Sequence, residues 1–327
     1  MIIARTPMRI SFFGGGSDYP AYYKEHGGAC LNATINKYGY ITARYLPPFF
    51  EHKYRVVWSQ IENVQNIDDI RHSGVQSCLR YMNINKGLEI HYDGDLPARS
   101  GLGTSSAFTV GLLNALHILQ DKPFSKYELG IEAMYVEQNV KKENVGSQDQ
   151  LSTACGGINF MKFSDKAPEV TKLDISKERI KELESYLMLV FTGFPHMASE
   201  IAGTYNFDKN YELKEMTKMA YEATKILQDG GILQFGELLH ESWVFKKKLS
   251  PKISNPYIDY VYNTAREAGV IGGKVNGAGG GGFMTLFCEP DKQAYVKEKL
   301  GSLVYVPFKF EDRGTEVLFK NSEVNIG

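Results

Sequence analysis

The chain has 327 residues, 43% of them hydrophobic and 23% charged, a soluble globular composition with enough length for two domains. Its formal net charge of -1 excludes a bulk basic field for nucleic acid or an anionic membrane, so an anionic ligand must be held by local groups. Four widely spaced cysteines (Cys30, Cys78, Cys155, Cys288) with no CxxC pair read as reduced thiols of a cytoplasmic protein. "MIIARTPMRI" lacks a signal-peptide core, and no apolar run reaches the ~18 residues of a membrane helix.

The opening "MIIARTPMRISFF" is β-branched and aromatic and reads as a strand. Period-2 alternation puts Arg5, Pro7, Arg9 and Ser11 on one face. The strand ends in "GGGSDYP", a turn that holds Gly15, Gly16 and Asp18. Two arginines beside such a turn fit a polar pocket, or a surface ion pair next to an ordinary turn. "ACLNATINKYGYITARYL" and "KYRVVWSQIENV" read as further strands, Ser73 to Tyr81 as a helix, and "GLEIHYDGDLP" as a half-buried strand.

"PARSGLGTSSAF" comes next. A glycine-rich turn feeding a helix offers unpaired amides and the positive end of the helix dipole, which suits an anion. No Lys follows in GK[ST] order, so it is not a Walker loop. Its hydroxyls, Thr104, Ser105 and Ser106, suit a hard cation or a helix cap. "SAFTVGLLNALHIL" is apolar nearly all round and reads as a buried helix. Ser125 and Glu128 match a capping box, and Leu129, Ala133, Val136 and Val140 form the stripe of the next helix. Glu137 sits at one edge of that stripe and Glu132 at the other. Either is a solvated margin or a metal ligand, and periodicity does not choose. Asp149, in the loop "GSQDQ", fits a general base or a turn cap.

A polar stretch around residues 164–182 suggests a boundary between domains 1–175 and 176–327. The second half reads as the strand "YLMLVFTG", helices at 211–228, 233–249 and 256–268, then "IGGKVNGAGGGGFMTLFC" as strand, glycine loop and strand. A helix at 291–300 and the strand "LVYVPFKF" follow. That order predicts an α+β, ferredoxin-like unit. Gly277, Gly279 and Gly282 have G-x-G-x-x-G spacing, but a strand follows, so a Rossmann site is rejected. HRD and DFG are absent, which rejects a protein kinase. "VVWSQIENVQNIDDI" is placed near an adenine by position alone.

Taken together and in this order, these segments resemble the GHMP kinases over almost the whole chain. The family loop P-x-x-x-G-L-G-[ST]-S-A stands here as Pro97, Gly101, Leu102, Gly103, Thr104, Ser105, Ser106 and Ala107. The N-terminal motif is Arg9 to Asp18 and the C-terminal one Gly277 to Gly282. The resemblance implies a two-domain α+β fold: an N-terminal mixed α/β domain of the ribosomal protein S5 domain 2-like type, and a ferredoxin-like C-terminal domain. It implies transfer of the ATP γ-phosphoryl group to a small-molecule hydroxyl, with Ser106 and Glu137 as Mg²⁺ ligands. It implies Asp149 as the proton acceptor, Arg9 beside it, and Asp18, Gly15, Gly16, Gly277 and Gly279 on the substrate.

Within the family, "RISFFGGGSDYPAYY" resembles the bacterial D-glycero-D-manno-heptose 7-phosphate 1-kinases. The galactokinase G-E-H-T-D is absent. Where the heptose kinases have T-G-x-x-R, this chain has Thr192, Gly193, Phe194, Pro195 and His196. The expected function is therefore a cytoplasmic sugar 1-kinase, monomeric or homodimeric. A kinase for a fucose- or galactose-type sugar or a small alcohol, and a catalytically silent ligand sensor, stay open.

Overall fold

The computed structural model describes residues 1–193 and 198–321. Phe194, Pro195 and His196, the loop compared with T-G-x-x-R, lie outside the described residues. Strand β1 covers Ile2–Phe13. After the glycine turn comes a short helix, α1 (Pro20–His26), where the sequence shows only a turn. Pro20 starts it, at a position that needs no N–H. β2 (Gly28–Tyr45) is buried on both faces in its first half and alternates in its second. "KYRVVWSQIENV" splits into the hairpin strands β3 (Tyr54–Val57) and β4 (Ile61–Val64). Then come α2 (Ser73–Tyr81), β5 (Leu88–Gly94), α3 (Thr104–Leu119) and α4 (Lys126–Tyr135). The capping box forms as read, with the Glu128 amide donating to Ser125 Oγ at 3.2 Å and the Ser125 amide to Glu128 Oε2 at 2.8 Å. α4 runs into a π-helical turn, Val136–Val140, followed by α5 (Gln148–Cys155), β6 (Ile158–Phe163), β7 (Glu169–Lys172) and α6 (Lys177–Tyr186).

The second half contains β8 (Leu187–Phe191), α7 (Ala198–Ala202), α8 (Asn210–Asp229), α9 (Ile232–Lys247), α10 (Pro256–Glu267), β9 (Gly272–Val275), β10 (Phe283–Phe287), α11 (Gln293–Leu300) and β11 (Val304–Tyr305). Its sheet has the antiparallel order β11-β8-β10-β9. In order of appearance that is 4-1-3-2, the ferredoxin-like arrangement. The first sheet runs β12-β1-β2-β5-β3-β4, with β6 and β7 branching from β2. Its last member, β12 (Glu316–Lys320), comes from the far end of the chain and pairs antiparallel with β1.

That return corrects the strand read at "LVYVPFKF". Val304 and Tyr305 pair with β8 and the Val306 amide still donates to the Leu189 carbonyl at 2.9 Å, but Pro307 has no N–H to carry the ladder further. Phe310 instead bridges to Ile35 of β2, so the end of the segment assigned to the second half closes the first sheet.

Helix α3 is buried from Ser106 through His117, as an all-round apolar helix must be. It covers one face of the first sheet, against Ile2, Ala4, Ile41 and Ala43. On the other face Met8, Ile10, Phe12 and Phe13 share a core with Phe235 and Leu239 of α9 and with Phe283 and Phe287 of β10. The Phe235 ring meets Phe12 and Phe13 edge-on at 5.4 and 5.1 Å. One core thus joins the two halves, and the site described next lies where their glycine loops touch.

Candidate active site

The loop before α3 turns through left-handed residues, with Arg99, Gly101 and Gly103 at φ of 60°, 84° and 71°. Gly103 is the N-cap of α3, and no side chain caps the helix. The first amides of α3 therefore face outward without an intrahelical acceptor. Pro97 and Ser105 are exposed, while Thr104, Ser106 and Ala107 are buried. Thr104 Oγ1 accepts from the Arg99 amide at 3.2 Å, and Leu102 packs into the shared core.

The C-terminal glycine motif presses on this loop, backbone against backbone. The Phe283 amide donates to the Ser100 carbonyl at 3.0 Å. A Cβ on Gly101 would lie 2.7 Å from the Asn276 carbonyl oxygen, and one on Gly277 2.7 Å from Gly101 Cα. Gly279 packs on the Ile253 backbone instead, so its immediate partner is α10's approach and not the loop. Of the two glycines of this motif expected on substrate, only Gly277 is brought to the loop before α3.

Arg9 closes the loop from the other side. Its Nε and Nη2 donate to both carboxylate oxygens of Asp149, at 2.7 and 2.5 Å, and its Nη1 donates to the Gly101 carbonyl at 2.7 Å. Arg9 is 3% exposed and Asp149 26%, so the pair is sheltered but the carboxylate still reaches the cleft. Arg5 takes no part. It donates to Glu316 Oε1 at 2.6 Å and lies over the Tyr38 ring. Strict alternation fails between Pro7 and Met8, where the pairing with β2 shifts register. Thr6 faces Gly111 of α3, and Arg9, three residues on, faces Gly103 of the same helix's cap.

Asp149 stands in the first turn of α5, not in a loop. The polar residues that hide this helix in the sequence are buried and bonded. Gln150 donates to Glu137, and Ser152 Oγ donates to Asn32 Oδ1 at 2.8 Å. Asp18 is 2% exposed and accepts from the Gly16 amide at 2.9 Å and the Gln148 amide at 3.4 Å. It pins the glycine turn to the start of α5; a Cβ on Gly146 would lie 1.9 Å from Asp18 Oδ2. Burial raises its pKa, the Gly16 amide opposes that, and Asp149 adds to the rise. Gly15 lies beside Ser11 and Gln148, and Gly16 beside Leu213 and Leu249.

The π turn settles which glutamate faces inward. Glu137 is 1% exposed, whereas Glu132 pairs with His117 at 2.5 Å at the helix margin. Glu137 Oε2 accepts from Ser106 Oγ at 3.0 Å and from Gln150. Its Oε1 is buried with no hydrogen-bond partner. Burial pushes this carboxyl's pKa up, and the bonds from Gln150 and Ser106 and the charge of Lys141 pull it back. A buried acceptor without a donor is costly, and a hard cation satisfies it. Ser106 Oγ and Glu137 together fit Mg²⁺, which takes one or two protein oxygens and completes its shell with phosphates and water. No cluster of three or more His, Cys, Asp or Glu able to hold a metal occurs among the described residues.

Two charged residues of the centre escaped the sequence reading. Lys246 lies on the buried stripe of α9 with Phe235, Leu239 and Ser242, and Lys274 lies in the wholly buried β9. A lysine at a core position was the signal for both. The stretch "VVWSQIENVQNIDDI" comes against α3 through Trp58, whose ring meets His72 edge-on at 5.0 Å; His72 in turn lies 4.6 Å from Phe108. Among the described residues no helix is long and apolar enough to cross a membrane.

Comparison with known proteins agrees with this geometry. Residues 72–157 match the family described as GHMP kinases N terminal domain, and residues 213–306 match GHMP kinases C terminal. The chain is 30% identical over 310 residues to the D-glycero-alpha-D-manno-heptose 7-phosphate kinase of Campylobacter jejuni, covering 89% of this chain and 91% of that one. It is 26% identical to the bifunctional fucokinase/GDP-fucose pyrophosphorylase of Arabidopsis thaliana over 88% of this chain but 30% of that protein. The crystal structure of a D-glycero-D-manno-heptose 1-phosphate kinase from Bacteroides thetaiotaomicron superposes with a TM-score of 0.82 at 26% identity, covering 98% of this chain and all of that one. With the paired loops, the Arg9–Asp149 pair and these matches in agreement, the chain belongs to the GHMP kinase family.

Proposed function

We propose that this chain is an ATP- and Mg²⁺-dependent sugar kinase that phosphorylates the anomeric C1 hydroxyl of D-glycero-D-manno-heptose 7-phosphate, for nucleotide-activated heptose synthesis. The observation that carries the reading is the two-pronged Arg9–Asp149 pair, tied by the same guanidinium to Gly101 of the phosphate loop. It joins a proton-accepting carboxylate to the place where an ATP γ-phosphate would end. The 30% identity to the Campylobacter jejuni heptose 7-phosphate kinase supports the choice of acceptor.

In this reading the amides from Gly101 to Ser106 hold the phosphates, whereas the Ala107 amide already donates to the Gly103 carbonyl at 2.8 Å, and positioning does most of the work. Ser106 and Glu137 hold the metal, which when bound would neutralise phosphate charge. Arg9 aims Asp149 at the acceptor hydroxyl, whose proton Asp149 takes or orients. Asp18, with Gly15 and Gly16, shapes the sugar side. The four cysteines are free thiols, in keeping with a cytoplasmic setting.

The test is ADP release over a panel of heptose 7-phosphate, heptose 1-phosphate, L-fucose, galactose and mevalonate, with the phosphorylated carbon identified. Heptose 7-phosphate should give the highest kcat/KM, with phosphate at C1. Asp149→Asn should lower kcat by roughly 10²–10⁴ while ATP still binds. Preference for L-fucose would move the acceptor to the fucokinase type. Near-wild-type turnover by Asp149→Asn would remove that residue from the mechanism.

A further inference from the structure

Two lysines are buried between the halves, beside the Arg9–Asp149 pair. Lys274, 1% exposed, reaches from β9 to the Phe12 carbonyl at the end of β1, at 2.9 Å. Lys246, 2% exposed, reaches from α9 to the carbonyls of Val275 and Gly277, at 3.0 and 2.5 Å. Both ammonium groups are thus held by backbone carbonyls. Burying a cation in this way is costly, and an apolar residue of similar length usually serves packing as well or better. Packing alone therefore does not account for them.

Their placement does. Phe12 stands just ahead of the turn that carries Gly15, Gly16 and Asp18. Gly277 abuts Gly101 of the phosphate loop. Lys274 thus anchors the acceptor side of the cleft and Lys246 the phosphate side. Arg9 pairs directly with Asp149, Lys246 feels the charges of both Asp18 and Asp149, and Lys274 feels that of Asp18. Phosphoryl transfer spreads negative charge over the moving group and the oxygens in line with it, and a fixed cation close by favours that state.

We propose that Lys274, backed by Lys246, is a positioning residue for the transfer: it holds the end of β1 and the Asp18 turn in register with Asp149, and its charge offsets that of Asp18 as negative charge builds in the cleft. This rests on the kinase reading above. Four charged or titratable groups face Lys274: Arg9 from β1, Asp18 from the turn after it, Cys30 from β2 and Lys246 from α9. Burial lowers the Lys274 pKa to about 8, with Cys30 and Asp18 opposing the fall and Arg9 adding to it. Burial lowers the Lys246 pKa as well, with Lys274 and Arg9 adding to the fall and Asp18 and Asp149 opposing it.

The experiment compares kcat against pH for wild type, Lys274→Met and Lys274→Arg, together with an NMR titration of the lysine side chains in the ligand-free wild type. Wild-type kcat should fall above pH 8 by about tenfold per unit. Lys274→Met should lose ~10²-fold in kcat and have no such limb. Lys274→Arg, which keeps the charge without titrating, should recover part of kcat and stay level to pH 9. The NMR titration should show one ammonium ionising near pH 8, and it needs no variant to fold. An intact alkaline limb in either variant, or no lysine titrating below pH 10, overturns the proposal. If wild type turns over normally and Lys274→Met matches it, this proposal alone falls. If wild type phosphorylates no acceptor, the kinase reading falls with it.

Discussion

Glu137 shows how far a single side chain depends on its surroundings. Its sequence position placed it at a helix margin, level with Glu132. One π turn carried it inside, where Oε1 has no donor and burial raises its pKa. A carboxyl whose pKa is raised on folding favours the folded state below its unfolded pKa, and that contribution is lost as pH rises. Glu137→Gln removes this loss. The stability of the variant relative to wild type should therefore increase between pH 4 and pH 7, read by urea titration at each pH. Mg²⁺ with ATP should raise the Tm of wild type and leave that of the variant nearly unchanged. A variant–wild-type difference that stays flat with pH would mean that Glu137 is not strained by burial. Arg9, Asp18, Asp149 and Ser106 could be singled out as candidates because their residue types stand at motif spacing. Lys246 and Lys274 were not, since a lysine is ordinarily solvated and only packing reveals one that is not.

At the scale of elements, the two glycine loops are one device. Each requires the other's backbone to come closer than a Cβ permits, so their glycines are linked across the halves. Gly101→Ala should lower stability by about 1–3 kcal/mol through strain at positive φ and the clash with Asn276, and should raise KM for ATP. Gly301→Ala is the control: it too is at positive φ, but has nothing within 4 Å. Equal effects of the two on KM would separate the loop contact from nucleotide binding. Helices α2, α3 and α4 were readable because apolar period or a capping box marks them. α5 was not, because Gln148, Gln150, Ser152 and Thr153 are buried through hydrogen bonds rather than through an apolar stripe. β11 came out shorter than its apolar run because Pro307 interrupts the ladder.

For the whole molecule, the shared core makes the halves one cooperative unit. Phe235 is fully buried and touches Phe12 and Phe13 across the division. Phe235→Ala should cost about 3–5 kcal/mol and shift a single urea transition followed by both circular dichroism and tryptophan fluorescence. Two separated transitions would show that the halves fold independently. The return of β12 to β1 adds a second tie. Thr315, next to it, shares a buried hydrogen-bond network with Thr6 and Asn114. The sequence by itself determined the class of fold and the ferredoxin-like order of the second half, and it singled out the glycine-rich loop before α3 and most of the candidate site residues, because hydrophobic period, turn glycines and motif spacing are local properties. Tertiary structure alone decided which glutamate turns inward, that Arg9 and not Arg5 meets Asp149, where the last strand pairs, and that two lysines lie beneath the cleft. Each of these depends on a contact between residues far apart in the chain, and no local pattern encodes such a contact.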